Sequence, residues 1–116
     1  MEQKKNIKNH EGWTPIHIAC QYNNVRVIHH LIDYKADINI VTFENWNSLH
    51  IAIYYNNKDA VACLLEEHPN MSKKNNQRLT PVDMAIKFGN MEIIHLFEEK
   101  ISEIDDNFNT KKLIIK

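Results

Sequence analysis

Trp13-Thr14-Pro15-Ile16-His17-Ile18-Ala19-Cys20, Trp46-Asn47-Ser48-Leu49-His50-Ile51-Ala52-Ile53 and Leu79-Thr80-Pro81-Val82-Asp83-Met84-Ala85-Ile86 are three copies of one phrase, opening at positions 13, 46 and 79 and so set 33 residues apart. The register continues downstream without a gap. Tyr22, Tyr55 and Phe88 share a column, as do Asn23, Asn56 and Gly89, then Asn24, Asn57 and Asn90, then Leu31, Leu64 and Phe97. A fixed period of this length marks a repeat architecture in which each copy is one supersecondary unit.

Each copy reads as two short helices. Thr14 and Thr80 are N-caps, and Pro15 and Pro81 follow at the first helical position, where a missing N–H costs nothing. In the middle copy Asn47 and Ser48 take those places. The first helix closes at Asn23, Asn56 or Gly89, residue types that accept a left-handed backbone. A second helix is predicted near 25–34, 58–67 and 91–100. Its apolar stripe is Val27, Ile28, Leu31 and Ile32, then Val61, Leu64 and Leu65, then Ile93, Ile94 and Leu96. One such pair buries too little surface to offset the entropy of ordering it, so the pairs must stack.

The opening Thr14-Pro15-Ile16-His17 with Ala19, and Ala36-Asp37-Ile38-Asn39 at the end of the copy, resemble the ankyrin repeat over residues 9–105. The resemblance implies an all-α solenoid of stacked helix-turn-helix units, with β-turn fingers at 6–13, 39–46 and 72–79 and a concave face that holds other proteins. On this reading 1–8 is a lead-in, 9–41, 42–74 and 75–105 are three repeats, and 106–116 is a degenerate or truncated unit. The chain departs from the family where Lys35 and His68 stand for the glycine after the second helix, and where Asn45 and Arg78 replace the finger glycine that Gly12 keeps. Left-handed backbone at Lys35 and His68 costs about 1 kcal/mol each. The resemblance puts His17 and His50 at helix starts, bonded to the cap residue and the adjoining turn; Asp83 takes that place in the third copy.

Both ends break the pattern. No helix pair fits before residue 9, so Ile16 and Val27 are expected to be exposed on the first unit, as in a piece of a longer protein or one that pairs with itself. Lys111-Lys112-Leu113-Ile114 does not restart the helix-opening phrase, and Glu98 stands where Ile32 and Leu65 are apolar.

Composition narrows the function. With 116 residues, 43% hydrophobic and 25% charged at a net charge of -1, the chain suits one compact unit with no single-signed field to attract nucleic acid or an anionic membrane. The opening residues are polar and no apolar run approaches the ~20 residues of a membrane span, which points to an intracellular, cytoplasmic protein. Cys20 and Cys63 sit in apolar helical columns and read as reduced core thiols. His29-His30 with His95 lack a cysteine or carboxylate at ligand spacing. Neither a Cys–His nucleophile nor a glycine-rich phosphate loop is supported, so no catalysis, cofactor or metal is expected.

A protein partner is the expected ligand. Candidate contact residues are the aromatic columns Trp13, Trp46, Tyr22, Tyr54, Tyr55 and Phe88, the groove residues Gln21 and Lys87, and the finger residues Phe43, Glu44, Asn76, Gln77 and Arg78. Aromatic side chains make good anchors because they bury a large area while freezing few rotors. The competing reading of Trp13 and Trp46 is that each packs on its own repeat. A different kind of function, self-assembly through uncapped solenoid ends, is the alternative.

Overall fold

The computed structural model describes the backbone of residues 2–115 and the side chains of residues 4–103. A 3₁₀ turn, Glu2–Asn6, precedes six helices: α1 Pro15–Gln21, α2 Val25–Asp33, α3 Ser48–Tyr54, α4 Lys58–Leu65, α5 Pro81–Phe88 and α6 Met91–Ile115. All regular structure among the described residues is helical. The first helices α1, α3 and α5 pack side by side in one layer and α2, α4 and α6 in the other, each first helix resting on its own second helix. The three-unit, all-α stack follows the period.

The helices begin where the cap chemistry places them. Asn47 and Thr80 have extended backbone, and their side chains accept the N–H of the third helical residue, His50 and Asp83, at 3.0 Å each. That satisfies one of the donors a helix start leaves orphaned. The turns fall in the expected columns: φ is positive at Gly12, Asn45 and Arg78, at Asn23, Asn56 and Gly89, and at Lys35 and His68.

The fingers are closed from both sides. Asn9, Thr42 and Asn75 donate their backbone N–H to the carbonyls of Trp13, Trp46 and Leu79 at 2.8, 2.9 and 2.9 Å. Their side-chain oxygens each accept two further N–H groups from within the same finger. Gly12 keeps its glycine for a reason beyond its φ of 81°: a Cβ there would lie 2.7 Å from the backbone nitrogen of Phe43. The sequence reading missed this opening column, although two asparagines and a threonine at a 33-residue spacing are the residues that make such turns.

Between the layers the core runs in columns. Ala19, Ala52 and Ala85 are buried and small enough to let the layers approach closely, while Ile28, Val61, Leu64 and Phe97 fill the space between second helices. Each large side chain buried there is worth about 1.5–3 kcal/mol relative to exposure.

Two expectations need correction. Ile16 is not exposed: it is 1% accessible and belongs to the core. Val27 is exposed as expected, because no second helix precedes α2 among the described residues, whereas Ala60 and Ile93 in the same column are each buried with one beside them. The last helix does not stop near 100 but runs to Ile115. The residue in register with the left-handed Lys35 and His68 is Ile101, whose branched side chain opposes a left-handed turn, so the helix continues. The further unit expected at 106–116 falls on residues whose side chains lie outside those described.

Candidate functional site

Two buried histidines hold the fingers against the helices. The Thr14 N–H donates to His17 Nδ1 at 2.9 Å, which leaves Nε2 as the protonated nitrogen, and Nε2 donates to the Ile40 carbonyl at 2.9 Å. Asn47 N–H, His50 and the Leu79 carbonyl repeat the arrangement at 3.0 and 2.8 Å. Each imidazole thus ties a helix start to the chain entering the next unit. Burial lowers the His17 pKa from 6.5 to about 4, with repulsion from Lys8 adding to it and the bond to Ile40 opposing it. Burial likewise lowers that of His50. Asp83 makes only the local half, accepting the Thr80 N–H at 3.1 Å.

On this frame the structure brings together some of the candidate residues and leaves others apart. Tyr54 is the hub: its ring packs edge-on against Trp46, Tyr55 and Phe88 at centroid distances of 5.2, 5.0 and 5.9 Å. Tyr54, Tyr55 and Phe88 remain 51%, 42% and 50% exposed. Trp46 is half-buried, packs on His50 and the core, and donates its indole N–H to Asn76 Oδ1 at 3.3 Å. Gln21 donates to the Tyr55 hydroxyl at 3.2 Å, and the Glu44 carbonyl accepts the Asn76 N–H at 2.9 Å, joining the second finger to the third. Trp13 packs on the core and, edge-on, against His17. Tyr22 is 72% exposed and stands outside the ring cluster. Phe43 covers Gly12, with the Lys8 ammonium 5.6 Å from its ring centre. Gln77, Arg78 and Lys87 are exposed.

Several residues at this face were not anticipated. Ile86 is largely exposed on α5. Asn57 donates both amide hydrogens across the unit boundary, to the carbonyls of Cys20 and Gln21 at 2.7 and 2.8 Å. Asn23 returns the favour by accepting the Ala60 N–H at 3.0 Å. The period marked Asn23 as a turn residue and Asn57 only as a member of its column.

Both cysteines are held in the thiol form. Cys63 Sγ lies 3.6 Å from His29 Nε2, but burial and the carboxylates of Glu67 and Glu66 raise its pKa. Burial pushes the Cys20 thiol to about 12. Both favour the protonated, unreactive thiol. No group of three His, Cys, Asp or Glu among the described residues is placed to hold a metal ion, and none of the described helices is long and apolar enough to cross a membrane.

Comparison with known proteins agrees with this architecture. A family profile of ankyrin repeats in three copies matches residues 1–75 and 27–111. An ankyrin repeat protein of Fowlpox virus (strain NVSL) is 30% identical over 101 residues, covering 86% of this chain and 21% of the viral protein. Ankyrin repeat protein B18 of Variola virus is 51% identical over 45 residues, and its namesake in Vaccinia virus (strain Copenhagen) 47% over 45; each match covers 36% of this chain and 8% of the relative. The chain therefore spans about a fifth or less of these relatives. Proteins of this kind are generally protein–protein interaction modules. By its period, its capped helix pairs, its histidine-held fingers and its match to the family profile, the chain belongs to the ankyrin-repeat family.

Proposed function

We propose that this domain binds a partner protein through its fingers and first helices, without a chemical step. The observation that carries the reading is the ring cluster of Tyr54, Tyr55 and Phe88, which spans the second and third units and leaves each ring about half open to water. Rings already packed against one another lose little freedom on binding, yet offer a large apolar area ringed by the polar side chains of Gln21, Asn76 and Lys87. The helices beneath are fixed by the core, so the surface is largely preformed. Trp46 supports this face through Tyr54, and Trp13, Tyr22, Phe43, Glu44, Gln77 and Arg78 are its outlying members.

The test is paired capture from the source cell, with the native chain and a Tyr55→Ala/Phe88→Ala variant as baits. A partner retained by the first and lost by the second, with unchanged helical circular dichroism, supports the reading. Equal retention on both baits sinks it. Trp46 is left intact because its indole is part of the packing.

A further inference from the structure

Three side chains, Gln21, Asn57 and Asn23, stitch the first-helix ends together at the seam between the first and second units. Gln21 reaches the Tyr55 hydroxyl, Asn57 donates to the Cys20 and Gln21 carbonyls, and Asn23 accepts from Ala60 N–H. Moving every residue on by 33 gives the seam between the second and third units, where none of these contacts recurs among the described residues. Tyr54 and Phe88 replace the Gln21–Tyr55 pair and meet only as rings. Asn90, the counterpart of Asn57, turns its Oδ1 to its own helix and accepts the Ile93 N–H at 3.1 Å. Ile93 is the counterpart of Ala60, so Asn56, unlike Asn23, finds its target already taken. Lys58 and Glu92 form an exposed pair at 3.2 Å at the edge. A cleft of about 590 Å³ opens here, lined by Tyr54, Asn56, Phe88 and Asn90 among others.

We propose that this cleft receives an asparagine or glutamine side chain of the partner polypeptide, which supplies the carboxamide that Asn57 provides at the other seam. The proposal rests on the partner-binding reading of this face. The occupied seam is the template. There, one carboxamide satisfies two helix-end carbonyls at 2.7 and 2.8 Å. The Tyr54 carbonyl, counterpart of that of Gln21, receives no side-chain donor among the described residues. A carboxamide both donates and accepts, which suits a cleft lined by Tyr54, Asn56 and Asn90, two of which carry carboxamides of their own. The rings of Tyr54 and Phe88 flank the cleft, and the two charges at its rim, Lys58 and Glu92, are paired with one another.

The experiment is a backbone-amide NMR titration of the whole chain with N-acetyl-asparagine-methylamide, the arginine and leucine analogues serving as comparators. The expected result is a saturable shift at Tyr54, Asn56 and Asn90, with the asparagine probe binding about tenfold more tightly than the leucine one, a gap of about 1.4 kcal/mol. Tyr54→Gln combined with Phe88→Tyr copies the stitched seam into this place; it should abolish the shift while melting no lower than the native chain. Asn56→Gly keeps the left-handed turn and removes one carboxamide, and should weaken binding. Absent shifts, shifts that persist in the double variant, or an equal or stronger response to arginine or leucine would each overturn the proposal. If these fail while Tyr55→Ala/Phe88→Ala still abolishes partner capture, the binding face stands and only the carboxamide falls.

Discussion

The Nε2 of His50 lies 2.8 Å from the carbonyl oxygen of Leu79, 29 residues away in sequence, and this contact, like that of His17 with Ile40, is made by a ring whose other nitrogen is bare and accepts a backbone N–H. Protonating Nδ1 would turn an acceptor into a second donor facing the Asn47 N–H.

Acid should therefore loosen the stack. The folded-state pKa of His17 is depressed from 6.5 to about 4, so the unfolded chain binds the proton more readily. The stabilisation is fully present above pH 6.5 and is lost as pH falls toward 4, amounting to about 3 kcal/mol at most for His17. His50 adds in the same direction. Urea midpoints measured from pH 7.5 down to 4.5 should fall steadily; a flat profile would show that the rings are not held neutral.

Lys35 and His68 carry left-handed backbone at φ 67° and 51° with side chains that disfavour it. Lys35→Gly and His68→Gly should each stabilise by roughly 0.5–1 kcal/mol, the relief of strain outweighing the extra freedom of the unfolded chain. Gly12→Ala should do the opposite, costing about 3 kcal/mol, because the new methyl meets Phe43 backbone and the φ of 81° is unfavourable as well. Chemical denaturation of the three variants checks both signs at once.

The turns at Asn23, Asn56 and Gly89 were legible because a left-handed residue is a local matter that asparagine and glycine announce, whereas those at Lys35 and His68, whose column holds neither, were legible only through the family likeness. The histidine contacts were legible through the family likeness. What crosses a seam was not. Asn57 and Asn90 are the same residue in the same column, yet one bonds the preceding unit and the other its own helix. The rings divided for a similar reason. Trp46 and Tyr55 both looked like anchors, and only the depth of the finger against α3 shows that the indole is half-buried while the phenol is more open.

Ser48 takes the first helical position that Pro15 and Pro81 fill, and its hydroxyl is buried without an oxygen or nitrogen partner. Asn47 before it is extended, with φ −90° and ψ −178°, the conformation a following proline demands. Ser48→Pro should raise stability by about 1 kcal/mol, or 4–8 °C in Tm for a domain near this size. A lower melting temperature would mean that the ring does not fit against Cys20 and the neighbouring helix.

The thiols should resist modification. Cys20 is fully buried with its pKa pushed to about 12, and the pKa of Cys63 is raised by burial and two nearby carboxylates. Iodoacetamide at pH 7 should label the native chain far more slowly than the urea-unfolded chain. Rapid labelling of Cys63 would instead show that His29 activates it, and would reopen the case for a nucleophile.

The long last helix gives a final test of the repeat logic. Lys35 and His68 end α2 and α4 in a left-handed turn, and Ile101 stands in their column where α6 runs on. If the residue type at that column decides where a second helix stops, Ile101→Gly should supply the missing breaker, because glycine adopts the left-handed turn freely and costs about 1 kcal/mol within a helix. Helical ellipticity at 222 nm should then drop by the share of the residues beyond 101, while the melting of the stack, whose buried contacts Ile93 and Phe97 precede the change, should barely move. Unchanged ellipticity would mean that α6 is held in helix by forces other than the lack of a breaker at this position.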